Sequence, residues 1–462
     1  LRQSPQHSRP SPRAPPGFSI RTGRSDHEEI PALNGTDTGF VLISAALVMV
    51  MTPGLALFYG GMVRAKSVLN MLMMSFISLG IVSILWVLFG YSLAFSGDVG
   101  HFIGNFDAIG LKGIDFTSTV DSFVTNAKGE PHKIAAFSFI LFQMLFAVIT
   151  PALMSGALAD RVKFSAWMVF VALWVTLAYF PVAHWVWAPG GWLFDMGVID
   201  FAGGTAVHIN AGIGALAAVL VVGKRIGFKK DPMRPHSLPL VLIGTALLWF
   251  GWFGFNAGSW LGVDGTTARM ALNTQIATAA AIIGWLIYER IRHGAFTTLG
   301  ACSGAVAGLV AITPSGGHVN AFGAILIGVV AGVVCSWAVS LKYKLGYDDS
   351  LDVVGVHLVG GVIGTLMVGF LATEAGGWDQ FGKQATGAFS VMGYTFVVTW
   401  IIAFAIQKTI GFRASEEDEV TGVDQTQHAE TAYDFSSAAG SHISSGVTSP
   451  VAAATQSKKV EA

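Results

Sequence analysis

The chain has 462 residues, of which 53% fall in the hydrophobic set and 12% are charged, against the roughly 25% charged of an ordinary soluble domain. With 56 Gly, 32 Phe and 13 Trp, this balance argues against a soluble enzyme and excludes disorder, coiled coil and collagen; it fits a polytopic α-helical membrane protein. The 27 Lys plus Arg nearly cancel the 28 Asp plus Glu, so bulk charge gives no pointer to nucleic acid.

Residues 1–33 carry five Arg and six Pro and no apolar core of a signal peptide, and read as a disordered tail. The first methionine, Met49, falls inside an apolar run, which fits a fragment or a misassigned upstream start. Eleven apolar stretches follow, each about long enough to cross a hydrocarbon core of roughly 30 Å as a helix. They run 38–62, 69–95, 134–158, 165–188, 201–223, 238–258, 268–289, 295–314, 321–341, 351–372 and 388–408.

The basic residues alternate between the connecting loops. One set holds fifteen, namely Arg64, Lys66, Arg161, Lys163, Lys224, Arg225, Lys229, Lys230, Arg234, Arg290, Arg292, Lys342, Lys344, Lys408 and Arg413. The opposite set holds five, Lys112, Lys128, Lys133, Arg269 and Lys383, although it includes the two longest loops. The richer set is expected in the cytoplasm, which puts the N-terminus outside and the C-terminus inside. Residues 411–462 turn to Ser, Ala, Thr and acidic residues and read as a solvated cytoplasmic tail.

No Asp, Glu, Lys or Arg lies in the middle of a span; two histidines, His208 in the fifth and His357 in the tenth, stand out. Their spans lie five apart and run in opposite directions, as in inverted five-plus-five repeats with an eleventh helix appended. Each histidine follows an aspartate expected at its helix start, Asp200 and Asp352, with Gly204, Gly212 and Gly361 on the histidine faces. A neutral imidazole pair can share one proton and relay it without a fixed charge in the membrane. Asp200 reads as the N-cap of the fifth span rather than as a direct contact to a permeant.

Phe142 and Phe146 share a helix face, and Phe255 follows Trp249 and Trp252; such spacing fits packing more often than a gate. Trp185, Trp187 and Trp192 fit either an interfacial belt or a cation-attracting pore mouth. Cys302 and Cys335 lie in apolar stretches and read as packing residues. His27-Glu28-Glu29-Ile30-Pro31 lacks the second histidine of a zinc helix, Ala301-Cys302-Ser303-Gly304 is an incomplete serine loop, and neither a phosphate loop nor a potassium filter is present.

Several stretches resemble one family: Pro53-Gly54-Leu55-Ala56-Leu57-Phe58-Tyr59-Gly60-Gly61, Asp200-Phe201-Ala202-Gly203-Gly204 with His208-Ile209-Asn210, Trp252-Phe253-Gly254-Phe255-Asn256-Ala257-Gly258-Ser259, Gly300-Ala301-Cys302-Ser303-Gly304, and Asp352-Val353-Val354-Gly355-Val356-His357. Over residues 37–433 the chain resembles the ammonium transporter, methylammonium permease and Rhesus protein family, most closely its bacterial ammonium transporter branch. The resemblance implies a membrane domain over 37–410. In it Trp187, Ser259, Phe142 and Phe146, supported by Asp200, would recruit ammonium, and Phe146 with Phe255 would gate. His208, His357 and Thr313 would line conduction.

The resemblance also implies a regulatory tail marked by Gly422, Asp424, His428, Glu430 and Tyr433, a homotrimer in the cell inner (plasma) membrane, and a PII-type regulatory partner. Ammonium or ammonia and methylammonium are the implied substrates, with no cofactor and no enzymatic activity. The Arg- and Pro-rich start and the long acidic loop 96–133 depart from the pattern. An ammonium sensor signalling through its tail is the alternative, and a fused signalling domain would mark it; an intramembrane hydrolase is weakened by the incomplete serine motif.

Overall fold

Ten helices of the computed structural model, which describes residues 32–433, are long and apolar enough to cross a bilayer. They are α1 Gly35–Met62, α2 Ala65–Phe95, α3 Ala136–Leu158, α4 Phe164–Met196, α5 Gly204–Val222, α6 Leu238–Gly258, α7 Gly265–His293, α9 Ala321–Leu345, α10 Val354–Leu371 and α11 Trp378–Thr409. The tail expected over 1–33 lies outside the described residues up to position 31, as does the chain beyond 433.

The eighth expected span, 295–314, is shorter than predicted. It forms α8, Thr298–Ile312, whose 15 residues rise only about 22 Å. Pro314, Gly316 and Gly317 turn the chain, and the turn 313–317 is buried within the protein. Irregular backbone is tolerated among apolar spans when protein surrounds it.

A second difference concerns the all-helical expectation. Thr119–Thr125 and Pro131–Ala135 form an antiparallel hairpin, β1 and β2, with Val120 opposite Ile134 and Asp121 opposite Lys133. Val120, Ser122 and Val124 point inward in strict alternation, and Asn126, Lys128 and Gly129 make the turn. Helix α3 therefore begins at Ala136 rather than at 134.

Small residues set how closely the helices meet. A Cβ at Gly244, Gly251 or Gly258, spaced by seven along α6, would fall 2.3–2.5 Å from α1 atoms of Phe58, Met51 and Ser44. On α5, a Cβ at Gly212 would lie 2.4 Å from the backbone nitrogen of Leu358. Helices α5 and α10 thus cross almost backbone to backbone.

Both of those helices open with a π-helical turn, Gly204–Ile209 and Val354–Leu358, and each turn carries one histidine. Asp200 holds the first: its carboxylate accepts from the N–H groups of Gly203, Gly204, Thr205 and Ala206 at 2.6–3.0 Å. At the second the aspartate is Asp349, not the expected Asp352. Asp349 accepts from Val353 and Val354 at 3.1 and 2.7 Å. Asp352 has φ +66° and turns its carboxylate to Lys342 Nζ at 2.6 Å.

At the opposite end from the hairpin, the basic residues that sequence assigns to topology are partly buried. Arg161 is fully buried and donates to the carbonyls of Gly223, Ala159, Ala157 and Asp348 and to Ser350 Oγ. Arg225 pairs with Asp348 at 2.8 Å and with Asp160 at 3.2 Å. Burial alone would raise Asp348, but its bonds to Arg225 outweigh that and hold it below the usual carboxylate range.

The segment after α11 docks on this end as two short helices, α12 Glu416–Thr421 and α13 Val423–His428. Ser67 makes no side-chain cap for the helix that begins at Val68. Asp424 supplies it from the tail, accepting from Leu69 and Asn70 N–H at 3.0 and 2.8 Å. Glu419 accepts from Arg413 at 2.7 Å and from the Ile226 N–H at 2.6 Å.

Candidate conduction site

Phe146 on α3 and Phe255 on α6 lie stacked, ring centroids 4.1 Å apart and planes 23° from parallel. Phe142, one turn before Phe146, is tilted against it at 4.9 Å, and Trp187 of α4 meets Phe146 edge to face at 5.8 Å. All three phenyl rings are buried. Trp187 Nε1 donates to the Asp200 carbonyl at 3.0 Å, which ties the indole to the segment that starts α5. Ser259 lies one turn beyond Phe255 and donates to its carbonyl at 2.8 Å.

His208 follows the phenyl pair directly, its ring 6.1 Å from that of Phe255. The imidazoles of His208 and His357 are near parallel, with Nδ1 to Nδ1 at 3.3 Å. Each has one ring nitrogen facing the other, so one must donate and the other accept. They are 1% and 2% exposed, and His208 Nε2 is buried without a protein partner among the described residues.

Trp252, which sequence reasoning left among the packing aromatics, stacks on His208 at 5.4 Å and 17°. Thr313 accepts from Trp252 Nε1 at 2.9 Å and itself bonds the Leu309 carbonyl at 2.7 Å and Asn256 Oδ1 at 3.2 Å. Its hydroxyl thus holds Trp252. The signal was present in sequence: Trp252 precedes Phe255 by three and shares its helix face.

Helices α3, α5, α6 and α10 contain no Asp, Glu, Lys or Arg. The Phe146–Phe255 stack and the two histidines therefore stand on helices without a fixed charge, and a narrow cleft beside His357 is lined by Phe58, Tyr59, Ser303 and Asp352 among others. A family model described as Ammonium Transporter Family matches residues 39–433. The chain belongs to the ammonium transporter family.

An ammonium transporter of Mycobacterium tuberculosis is 52% identical over 446 residues, covering 90% of this chain and 94% of its own. One of Bacillus subtilis is 45% identical over 416 residues, covering 86% and 98%. Among solved structures, Saccharomyces cerevisiae Mep2 superposes with a TM-score of 0.76 at 33% identity, over 83% of this chain and 88% of that one. A structure named Sensor Amt Protein superposes at 0.77 with 30% identity, over 85% and 98%. This transporter is accordingly a multi-pass membrane protein whose substrate is ammonium or ammonia.

The residues singled out on its tail all sit in or beside the docked segment. Gly422 has φ +120°, and a Cβ there would fall 2.8 Å from both the Lys66 side chain and its carbonyl. His428 Nε2 lies 3.0 Å from Asn70 Oδ1, and Tyr433 bonds His236 at 2.8 Å. Glu430 joins Asp424, Lys66 and Tyr433 around a surface cleft. Burial raises Asp424 despite its two N–H partners, and burial lowers His428 against the pull of Asp424 and Glu430.

Proposed function

We propose that this transporter recruits ammonium at Trp187, Ser259, Phe142 and Phe146, with Asp200 behind them, and that the proton leaves there. Neutral ammonia then passes Phe146 and Phe255 and reaches the His208–His357 pair. The observation that carries this reading is the continuity of the Phe146–Phe255 stack with the histidine pair inside helices that hold no fixed charge. A bare cation in such a passage costs several kcal/mol, whereas ammonia meets no charge penalty. Ammonium divides into ammonia and one proton, which either returns to the outer solution or moves along the shared imidazole proton. Potassium has no proton to give up and is rejected.

The same reading takes α8 with the turn after it as an eleventh crossing, and α1–α5 and α6–α10 as inverted repeats. The paired aspartate-held π turns at His208 and His357 support it. It places residues 37–410 as the membrane domain of a plasma-membrane homotrimer, N-terminus outside and C-terminus inside. The segment from 411 is then a cytoplasmic regulatory element for a PII-type protein, supported by its close docking on α2. The sensor reading has the likeness to one sensor structure behind it, while the relatives at 52% and 45% identity are named transporters.

The test is flux into proteoliposomes carrying ammonium, methylammonium or potassium gradients, with bilayer current recorded alongside. His208→Ala is expected to change uptake, potassium exclusion or both. If it leaves uptake and potassium exclusion unchanged, the mechanism fails.

A further inference from the structure

The hairpin β1–β2 sits against the loop that carries Ser259. Phe123 of β1 stacks on Trp260 at 5.0 Å and 20°, and Trp260 stacks in turn with Phe201 at 5.7 Å and 5°. Trp260 is the neighbour of Ser259, and Phe201 is the neighbour of Asp200. One aromatic ladder therefore links the hairpin to both sides of the proposed ammonium site.

The backbone of this loop is gripped as well. A Cβ at Gly262 would lie 2.6 Å from Val124 Cγ2 and 2.7 Å from Ser122 Oγ, so the chain there runs directly on β1. Val263 N–H donates to one oxygen of Asp37 at 2.9 Å, and His132 of β2 bonds the other at 2.6 Å. Trp260 Nε1 donates to Asp264 at 3.0 Å. The hairpin is itself anchored to α1, through Asn34 N–H on the Lys133 carbonyl at 2.7 Å and Ala135 N–H on Thr38 Oγ1 at 3.2 Å.

We propose that Phe123 and Trp260 are positioning residues for ammonium binding: the hairpin, braced on α1, holds the Ser259 and Asp200 segments in register and so sets the affinity of the site. The proposal rests on the reading of Trp187, Ser259 and Phe146 as that site. The Phe146–Phe255 stack is carried by α3 and α6 themselves rather than by the loop, so a loosened loop weakens recruitment and leaves the passage beneath it open.

Concentration dependence of methylammonium uptake in proteoliposomes, normalised to folded protein, tests this with Phe123→Leu, Phe123→Tyr, Trp260→Phe and Trp187→Leu. Phe123→Leu keeps an apolar side chain but loses the stack. It is expected to raise the half-saturation constant about three- to tenfold, the scale of a lost cation contact, with the maximal rate within about twofold of wild type. Phe123→Tyr restores the wild-type constant, and Trp260→Phe raises it by a smaller factor. An unchanged half-saturation constant in both Phe123→Leu and Trp260→Phe, or a fall in maximal rate alone, overturns the proposal. If Phe123→Leu yields no folded protein, the Trp260→Phe constant decides. Trp187→Leu separates the two levels: if it too leaves the constant unchanged, the site itself is misread, whereas a raised constant beside inert hairpin variants leaves the site standing and rejects only the hairpin's role.

Discussion

Asp200→Asn is the substitution whose cost follows most directly from geometry. One carboxylate oxygen accepts from Gly203 and Gly204 at 2.8 and 2.6 Å, the other from Thr205 and Ala206 at 2.8 and 3.0 Å. An amide keeps one oxygen and turns an NH2 group toward the other two N–H donors. Two charge-assisted bonds are lost, at roughly 1.5–3 kcal/mol each, so the variant should lose about 3–6 kcal/mol. Asp349→Asn provides the internal scale. Each of its oxygens takes a single N–H, so only one bond is lost and the cost is about half as large. Thermal unfolding in detergent, followed by the fraction surviving size exclusion, should rank wild type above Asp349→Asn and Asp349→Asn above Asp200→Asn. Methylammonium uptake should fall along with it, because the π turn that carries His208 loses its start. An Asp200→Asn protein as stable as wild type would refute the reasoning. Lost uptake at undiminished stability would mean that Asp200 acts on the cation rather than on the helix.

Two further outcomes follow from single contacts. Gly212→Ala places a methyl 2.4 Å from the Leu358 nitrogen and 2.7 Å from its Cα, so backbone must shift where α5 and α10 cross. Uptake should drop, with a stability cost of about 1–3 kcal/mol, while Gly382→Ala, inside helix α11 and meeting nothing within 4 Å, leaves uptake unchanged and does not lower stability. Equal uptake in the two variants would show that the close crossing of α5 and α10 does not matter for transport. The third outcome concerns pH. Docking lowers the His428 pKa, so the docked tail binds fewer protons there than the free tail, and docking weakens as pH falls through the ordinary histidine value near 6.5. Asp424, raised by burial, works in the opposite sense only at lower pH, around and somewhat above the ordinary carboxylate value. Protection of residues 411–433 against hydrogen exchange, taken relative to the intrinsic rate at each pH, should therefore be lower at about pH 5.5 than at about pH 7.5, and His428→Asn should remove most of that difference; identical protection in wild type at both values would contradict it.

Much of the fold was legible because apolar length is a strong signal. Ten of the expected spans appear as long apolar helices. The histidines stood out because a charge-free setting makes any ionisable group conspicuous, and the structure brings their rings together. One miss arises because sequence spacing assumes regular helix. Asp352 has the right offset from His357 for a helix start, but its positive φ swings the carboxylate to Lys342 and leaves Asp349 to bind the N–H groups. The π turns, the shortened α8 and the tail's cap on α2 depend on contacts between distant segments that no local pattern encodes. The hairpin was legible in principle, since Val120, Ser122 and Val124 alternate before a Gly-containing turn. The prior of a purely helical chain hid it.

The irregular stretches also explain the few strongly polar side chains inside this apolar bundle. Where α5 and α8 break off, backbone groups lose their helical partners in a region that water does not solvate, and each such group costs several kcal/mol unless it is bonded. Gln384 of α11 both accepts from the Ile199 N–H and donates to its carbonyl, at 2.7 Å each. Phe201 N–H finds the Pro314 carbonyl at 3.1 Å, which joins the two broken segments to each other. Asn273 of α7 donates to the carbonyls of Gly316 and Val319 at 2.8 and 2.9 Å. Asp200 takes the N–H groups of Gly203, Gly204, Thr205 and Ala206. These polar side chains are thus the partners of interrupted backbone, and the interruptions fall beside Trp187, Trp252 and His208. Regular helices through both segments would place side chains where the turns now run, so the breaks and their polar partners together shape the surroundings of the ring stack.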